Sequence, residues 1–128
     1  MKRSFTLIEL MLVVIIIIIL ASVAAPRLVG KAEKARRAAA KADVEANIPS
    51  ALELYEMDVG EFPKKLEDLI QNPGVDNWDG PYLKRLPKDP WGREYEYYFP
   101  GTHSFDYDLA SKGKDGVFGT EDDIANWE

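Results

Sequence analysis

The sequence predicts an α+β protein in which one long N-terminal helix packs on a small C-terminal antiparallel β-sheet. Two patterns indicate this fold. An apolar run near the N-terminus is followed by helical periodicity up to about residue 58, and two later segments alternate apolar and polar residues with the period of a strand. The 128 residues are enough for one small domain and an appendage.

The run from Phe5 to Ala25 is long enough to cross a membrane. Only three of its 21 residues are polar, and Glu9 alone is ionisable. At about 1.5 Å per residue the run spans a hydrocarbon core of about 30 Å. A removable signal peptide is the alternative, but its apolar region would be unusually long, and Pro26 directly follows the small residues that a signal peptidase would need. We therefore interpret the run as a retained transmembrane helix.

Helical periodicity continues beyond the apolar run to about Asp58, and Gly60 and Pro63 then end the helix. Small side chains recur every three or four residues and form one stripe, which favours close helix packing. The stripe consists of Ala32, Ala35, Ala39, Ala42 and Ala46. The high helix propensity of alanine explains the same pattern equally well. Larger apolar residues from Val44 to Tyr55 predict a face that packs on a domain core.

Two prolines fall inside this predicted helix. Each lacks a backbone donor and crowds the preceding turn. Pro49 should therefore distort the helix near Glu45, and Pro26 should loosen it where it leaves the membrane.

The remaining residues predict a compact head. Residues 64–72 suit a short helix, whereas residues 93–99 and 104–110 alternate as strands on either side of Pro100-Gly101, which predicts a hairpin. The apolar face of this hairpin needs a cover, and the helix at 44–55 is the nearest candidate. The predicted apolar face consists of Tyr95, Tyr97, Phe99, Phe105, Tyr107 and Leu109.

The charge is divided unevenly along the chain. Residues 1–42 hold eight Lys or Arg against two Glu, a net of +6, whereas residues 43–128 hold eight Lys or Arg against twenty Asp or Glu, a net of −12. An acidic head argues against nucleic acid as a partner, because phosphate binding needs a basic surface. The basic stretch from Arg27 to Lys41 suits lipid headgroups or an acidic neighbour.

Residues for catalysis are scarce. His103 is the only histidine and falls in the predicted hairpin loop, where we expect it to be solvated. No nucleophile elbow, phosphate loop or dinucleotide fingerprint is present, and there is no cysteine. The sequence therefore predicts that the protein is not an enzyme.

An acidic, glycine-rich segment at residues 112–128 is the one candidate ligand site. Calcium takes six to eight oxygen ligands, and carboxylates together with backbone carbonyls of a curled loop supply them. The spacing is not that of an EF-hand, and a solvated acidic tail is the alternative. Four acidic residues fall within nine positions, namely Asp115, Glu121, Asp122 and Asp123, and the glycines are Gly113, Gly116 and Gly119.

Several segments resemble a known family. "FTLIEL" after a short basic leader, followed by an apolar helix with a proline at its end, is similar to the signature of type IV pilins and pseudopilins. "LYEMDVGEFP", "GPYLKRLPKDPWG", "FDYDLASKGKDG" and "DDIANW" together resemble the major pseudopilins of the bacterial type II secretion system. The resemblance covers nearly the whole chain and implies a pilin-like fold with a calcium-binding loop.

The resemblance also implies how the chain is divided and processed. Residues 1–4 would be a prepilin leader, 5–26 the transmembrane helix, 27–58 an amphipathic helix and 59–128 a periplasmic head. Prepilin peptidase would cut between Ser4 and Phe5 and methylate the new amine. The family carries glycine where this chain has serine. Glu9 would neutralise the N-terminal amine of a neighbouring subunit during assembly.

By the same resemblance the acidic loop would bind calcium. Asp115, Asp122 and Asp123 would supply side-chain ligands, and Lys112 and Val117 would supply backbone carbonyls. The family usually has an apolar residue in place of this lysine.

The implied function is that of the major structural subunit of a pseudopilus, a helical fibre that drives export of folded proteins across the outer membrane. The implied partners are other copies of the chain, minor pseudopilins, an inner-membrane secretion platform, prepilin peptidase and the lipid bilayer. The chain would cross the inner membrane once, with its head in the periplasm. The alternatives are a type IV pilus subunit for adhesion or motility and a membrane-tethered calcium-binding module that does not polymerise.

Overall fold

The computed structural model describes residues 3–104 and 106–128. Within these residues, two helices, two single turns of other helix types and three strands follow one another. They are helix α1 (Leu7–Ala42), a π-helical turn (Asp43–Asn47), helix α2 (Ile48–Val59), a 3₁₀ turn (Leu66–Leu69), and strands β1 (Glu96–Tyr98), β2 (Asp108–Ser111) and β3 (Ile124–Ala125). The predicted α+β class is confirmed. By its internal contacts the chain forms two units, one ending at Ala35 and one from Arg36 to Glu128.

The first unit is dominated by the apolar part of α1. Its side chains are exposed from Phe5 onward, and the helix is long and apolar enough to cross a membrane. This is consistent with a single membrane anchor. Helix α1 continues through Pro26 without interruption in the isolated chain, so any loosening at this residue needs a further cause.

The helix adopts π geometry at Asp43–Asn47, immediately before Pro49. A regular α-helix would press the proline ring against the carbonyl of Glu45 and would leave that carbonyl without its donor. A π turn inserts one extra residue into the helical repeat and so relieves this crowding. The amide of Asn47 donates to the Asp43 carboxylate at 2.8 Å across the turn. The predicted distortion is confirmed, but the sequence did not predict its π form.

The second unit contains a three-stranded antiparallel sheet in the order β1-β2-β3. Tyr97 pairs with Leu109 between β1 and β2, which confirms the predicted hairpin. Strand β3 was not predicted, because two residues are too few to show a period. The predicted helix at 64–72 is reduced to the 3₁₀ turn Leu66–Leu69.

Strand β2 departs from the predicted alternation. Tyr107 and Leu109 are buried as expected, but Asp108 and Ala110, expected on the polar face, are buried as well. The reason is that β2 is the central strand and that Asp108 is enclosed by the loop at 102–104, to which it is hydrogen-bonded. Phe105, which was predicted to belong to the apolar face, lies outside the described residues.

The core of the second unit lies between α2 and the sheet. Ile48 and Leu52 on α2 are almost completely buried, together with Leu69 of the 3₁₀ turn and Leu109 of β2. Tyr55 completes the buried side of α2 and makes an edge-to-face contact with Tyr82. The helix therefore covers the apolar side of the hairpin, as the sequence predicted.

Candidate functional site

The acidic segment at 112–123 forms a loop between β2 and β3. Its ends are held side by side, because Ser111 pairs with Ile124 in the sheet. Gly113, Gly116 and Gly119 have φ angles of 70°, 69° and 90°. These left-handed conformations are strained for other residues, so the glycines allow the loop to curl back on itself.

Asp115 organises the first half of this loop. One carboxylate oxygen accepts the Val117 N–H at 3.0 Å, and the other accepts the Thr120 hydroxyl at 2.7 Å. The same hydroxyl lies 3.2 Å from the Val117 carbonyl oxygen. The bonds from Val117 and Thr120 lower the pKa of Asp115 below its usual value. The structure therefore brings together two of the predicted ligand residues, Asp115 and Val117.

Asp123 closes the second half of the loop. Its Oδ2 accepts the Gly119 N–H at 2.6 Å. Its Oδ1 is buried and has no hydrogen-bond partner among the described residues, and the residue as a whole is only 6% exposed. Burying a carboxylate oxygen without a donor is unfavourable. This oxygen is a candidate ligand for a cation.

Lys112 and Asp122, the other predicted ligand residues, make their contacts through atoms other than the predicted ligand atoms. The Lys112 ammonium lies 2.9 Å from the carboxylate of Glu96, and the Asp122 carbonyl accepts the Arg37 guanidinium at 3.2 Å. Across residues 3–104 and 106–128, no three Asp, Glu or His side chains lie close enough together to hold a metal ion. The described side chains therefore do not form a complete cation site by themselves, and a cation in this loop would also need backbone carbonyls.

The start of the loop is hydrogen-bonded to the turn at residues 89–93, "DPWGR". Sequence reasoning missed this contact. Asp89 is buried, and one of its oxygens accepts the N–H groups of Trp91 and Arg93 at 3.1 and 2.8 Å. The other accepts the Ser111 hydroxyl at 2.7 Å, and that hydroxyl oxygen accepts the Gly113 N–H at 3.1 Å. The Asp-Pro-Trp-Gly order in the sequence was a signal for such a turn. It did not reveal that the turn would bind the start of the acidic loop.

Arg93 places a positive charge beside the acidic loop. Its guanidinium donates to the Gly113 carbonyl at 3.2 Å. It also packs on Gly116, where an added Cβ would lie 2.5 Å from Arg93 Cζ. Twenty residues separate Arg93 from Gly113, so no local pattern in the sequence could have placed it here.

His103 is exposed, as the sequence predicted, with 51% of its side chain accessible to solvent, but two contacts also hold it in place. Its ring stacks on Trp127, with centroids 4.2 Å apart and planes inclined by 12°. Its Nδ1 lies 2.9 Å from the Asp108 carboxylate, which also accepts bonds from Thr102 and Ser104. Burial of Asp108 opposes its ionisation, but the bonds from His103 and Thr102 outweigh burial and hold its pKa well below the usual range.

The predicted assembly residue, Glu9, lies at the beginning of α1. Its carboxylate accepts the Thr6 N–H at 3.0 Å, and its own N–H donates to the Thr6 hydroxyl at 3.2 Å. These reciprocal bonds form a capping box. The predicted cleavage site, Ser4–Phe5, is exposed and lies just before the helix. The T-x-x-E spacing of Thr6 and Glu9 is a readable signal for this cap.

Two glycines of the acidic loop provide a matched prediction. Gly113→Ala and Gly119→Ala both place a Cβ on a left-handed residue, at a cost of about 1–2 kcal/mol. At Gly113 the new Cβ would also collide with the Asp122 carbonyl oxygen, whereas at Gly119 it would meet nothing within 4 Å. We therefore expect Gly113→Ala to lower the free energy of unfolding by about 1–3 kcal/mol more than Gly119→Ala. Urea unfolding of both variants measures the difference, and equal losses would contradict the packing of Gly113 against Asp122.

Comparisons with known proteins give consistent results. The family model for type II secretion system (T2SS), protein G, matches residues 27–127. Type II secretion system core protein G of Escherichia coli strain K12 is 44% identical over 135 residues, covering 98% of this chain and 91% of that protein. Its counterpart in Pseudomonas aeruginosa is 43% identical over 135 residues, covering 97% and 94%.

A solved structure is also similar. The crystal structure of the major pseudopilin from the type 2 secretion system of enterohaemorrhagic Escherichia coli aligns with a TM-score of 0.68 and 38% sequence identity. The alignment covers 78% of this chain and 89% of that chain.

Proposed function

The chain belongs to the family of type II secretion system protein G, the major pseudopilin, and on that premise we propose that it polymerises into a helical pseudopilus that drives export of folded proteins across the outer membrane. The observation that carries this proposal is the 44% identity over 98% of the chain, which includes both the apolar helix and the head. Members of this family are structural components of a secretion system, not enzymes.

We further propose that the apolar part of α1 is a single anchor in the inner membrane and that the head lies in the periplasm. The length and hydropathy of the helix support the anchor. Prepilin peptidase would cut between Ser4 and Phe5 and methylate the amine of Phe5, and the exposed, non-helical position of both residues is compatible with cleavage. Mass spectrometry of the mature N-terminus would test this step directly.

Glu9 is proposed to act between subunits. An ionisable side chain in lipid costs about 2.5–3.5 kcal/mol on insertion scales and is usually tolerated by pairing. In the isolated chain the Glu9 carboxylate is held next to the Thr6 N–H. A cut after Ser4 would create a positive amine on the residue that precedes Thr6. The carboxylate of one subunit would neutralise the amine of the next, so that pairing sets the register of the fibre.

The acidic loop is proposed to bind calcium. The buried, unpartnered oxygen of Asp123 is the observation that favours a cation, and Asp115 provides a second carboxylate in the same loop. Asp122 and the carbonyls of Lys112 and Val117 would complete the ligands, as the family resemblance implies. A bound calcium ion would supply positive charge to these oxygens and so hold the loop closed.

Membership in the family implies assembly into a pseudopilus with other components of the secretion system. We propose other copies of the chain, minor pseudopilins, the inner-membrane platform and prepilin peptidase as the direct partners. A type IV pilus subunit and a non-polymerising calcium module remain the competing functions. Two measurements separate these possibilities. Electron microscopy of fibres sheared from cells that express the chain with a type II assembly system should show fibres, which a non-polymerising module would not form. The chain should also restore exoprotein secretion in a strain that lacks its own major pseudopilin, and failure to do so would favour a type IV pilus subunit.

Pro26 provides a prediction about the assembled state. Helix α1 passes through Pro26 in the isolated chain, although the proline removes one hydrogen bond and crowds the preceding turn. We expect the segment 18–26 to lose α-helical hydrogen bonds when subunits pack closely in the fibre. A cryo-electron microscopy map of the fibre checks this, and an unbroken α-helix through residues 18–26 would contradict it.

A further inference from the structure

The outward side of α2 carries exposed apolar residues between carboxylates. Leu54 is 52% exposed and Met57 is 79% exposed, although the opposite side of the helix is buried in the core. Glu53 and Glu56 lie on the same exposed side, because three- and four-residue spacings share a helix face. We call Glu53, Leu54, Glu56 and Met57 the acidic patch.

The charge of the acidic patch is not balanced by an ion pair in the part of the chain that the structure describes. Neither Glu53 nor Glu56 forms an ion pair with any of the described residues. The pKa of the nearby Tyr107 phenol is raised to about 12, first by burial and then by the negative charges of Glu53, Asp106 and Glu56. The surface thus combines two exposed apolar side chains with negative charge that no described residue neutralises.

A patch of opposite charge lies on α1, just beyond the apolar run. Arg27, Lys31 and Lys34 are exposed and fall within an arc of about 60° at 3.6 residues per turn. None of the three forms an ion pair with the described part of the chain. Leu28 lies beside them and is 65% exposed. We call Arg27, Leu28, Lys31 and Lys34 the basic patch.

We propose that the basic patch of one copy docks on the acidic patch of a second copy. Each patch combines one or two exposed apolar side chains with unpaired charges, and the signs are complementary. Anionic lipid headgroups would satisfy the basic patch alone and would leave the acidic patch on α2 without a partner. A second copy of the chain satisfies both.

The contact joins two different surfaces, so it is heterologous. A copy that uses its basic patch to bind one neighbour still offers its acidic patch to another. Contacts of this kind produce open helical polymers unless the rotation happens to close a ring. The inference rests on the proposed function, because it names the surfaces through which fibre subunits meet.

Engineered cysteines test the contact cleanly, because the native chain has none. Leu28→Cys and Met57→Cys are combined in the full chain, fibres are assembled, and a short bismaleimide is added. We expect a ladder of covalent oligomers on a denaturing gel. The matched control combines Leu28→Cys with Tyr98→Cys. Tyr98 is 51% exposed in the native chain and lies outside the acidic patch, so this pair should stay monomeric.

Fibres that assemble normally but yield no ladder would overturn the inference while leaving the proposed function intact. A wild-type chain that forms no fibres would contradict the proposed function. In that case cross-linking of the 28/57 pair in detergent, where copies are free to shift along one another, decides the inference on its own, and the absence of covalent oligomers would overturn it.

Charge reversal gives a second measurement that does not depend on cysteines. Lys31→Glu and Glu53→Lys should each lower the yield of sheared fibres about tenfold, because each places like charges opposite one another. The double variant should regain most of the loss. A loss of membrane association in Lys31→Glu that Glu53→Lys does not correct would show that the basic patch binds lipid instead, and would overturn the inference.

Discussion

Glu9→Leu is expected to insert into the membrane at least as well as the wild type and to form no detectable fibres. Leucine is favourable in the bilayer centre, whereas a carboxylate costs about 2.5–3.5 kcal/mol there. The change removes the group proposed to neutralise the amine of Phe5 in a neighbouring subunit. Fibre yield after shearing and membrane fractionation of the same cells measure both effects, and the yield should fall by at least about a hundredfold, which corresponds to a loss of about 3 kcal/mol.

The capping box requires a matched control. Glu9 also accepts the Thr6 N–H, so its loss weakens the start of α1 as well as removing a charge. Glu9→Gln keeps an acceptor at the same position, because glutamine also forms capping boxes, but it carries no charge. If charge is what matters, Glu9→Gln fails like Glu9→Leu. Normal fibres from Glu9→Gln together with failure of Glu9→Leu would assign Glu9 to the helix cap alone, and normal fibres from both would show that Glu9 is not needed for assembly.

The parts of the fold that depend on local pattern were predictable from the sequence. The apolar run, the continuation of the helix to α2 and the hairpin of β1 and β2 all follow from residue periodicity and from turn residues at fixed positions. The distortion near Glu45 was predictable for the same reason, because a proline acts on the turn immediately before it.

The parts that depend on distant partners were not predictable. Asp108 appeared to be on a polar face, yet it is buried because loop 102–104 and His103 fold over it. Arg93 reaches Gly113 across twenty residues, and Asp89 is joined to the acidic loop only through Ser111. Each of these contacts requires the sheet to bring separate loops together, and no periodicity in the sequence encodes that.

The acidic loop was predictable from the sequence in part, and the rest of it required the folded chain. Its carboxylates and glycines were visible in the sequence, and the resemblance to major pseudopilins supplied a ligand set. The unpartnered oxygen of Asp123 could be found only in the folded chain. The ion pair between the Lys112 ammonium and Glu96 could likewise be found only in the folded chain. It leaves only the backbone carbonyl of Lys112 available to a cation.

Calcium is expected to raise the melting temperature of the head by about 10 °C or more when its concentration is well above the dissociation constant, because the ion would bind the folded loop and not the unfolded chain. The full chain in detergent is stripped with a chelator and titrated with calcium while thermal unfolding is followed. Magnesium should substitute poorly, because it requires tighter octahedral geometry and retains its waters. Asp115→Ala should abolish the response, whereas Glu121→Gln, at an exposed position outside the proposed ligand set, should preserve it.

Asp123→Asn gives the sharpest form of this test, because its effect should change sign with calcium. Without the ion, the wild type buries a carboxylate oxygen that has no hydrogen-bond donor. A neutral amide is less costly to bury, so the variant should be at least as stable as the wild type in chelator. With millimolar calcium, the wild type gains the ion and the variant does not, so the variant should melt at a lower temperature. If the stripped wild type melts at the same temperature with and without millimolar calcium, the loop does not bind the ion, and the buried oxygen of Asp123 must be stabilised in another way.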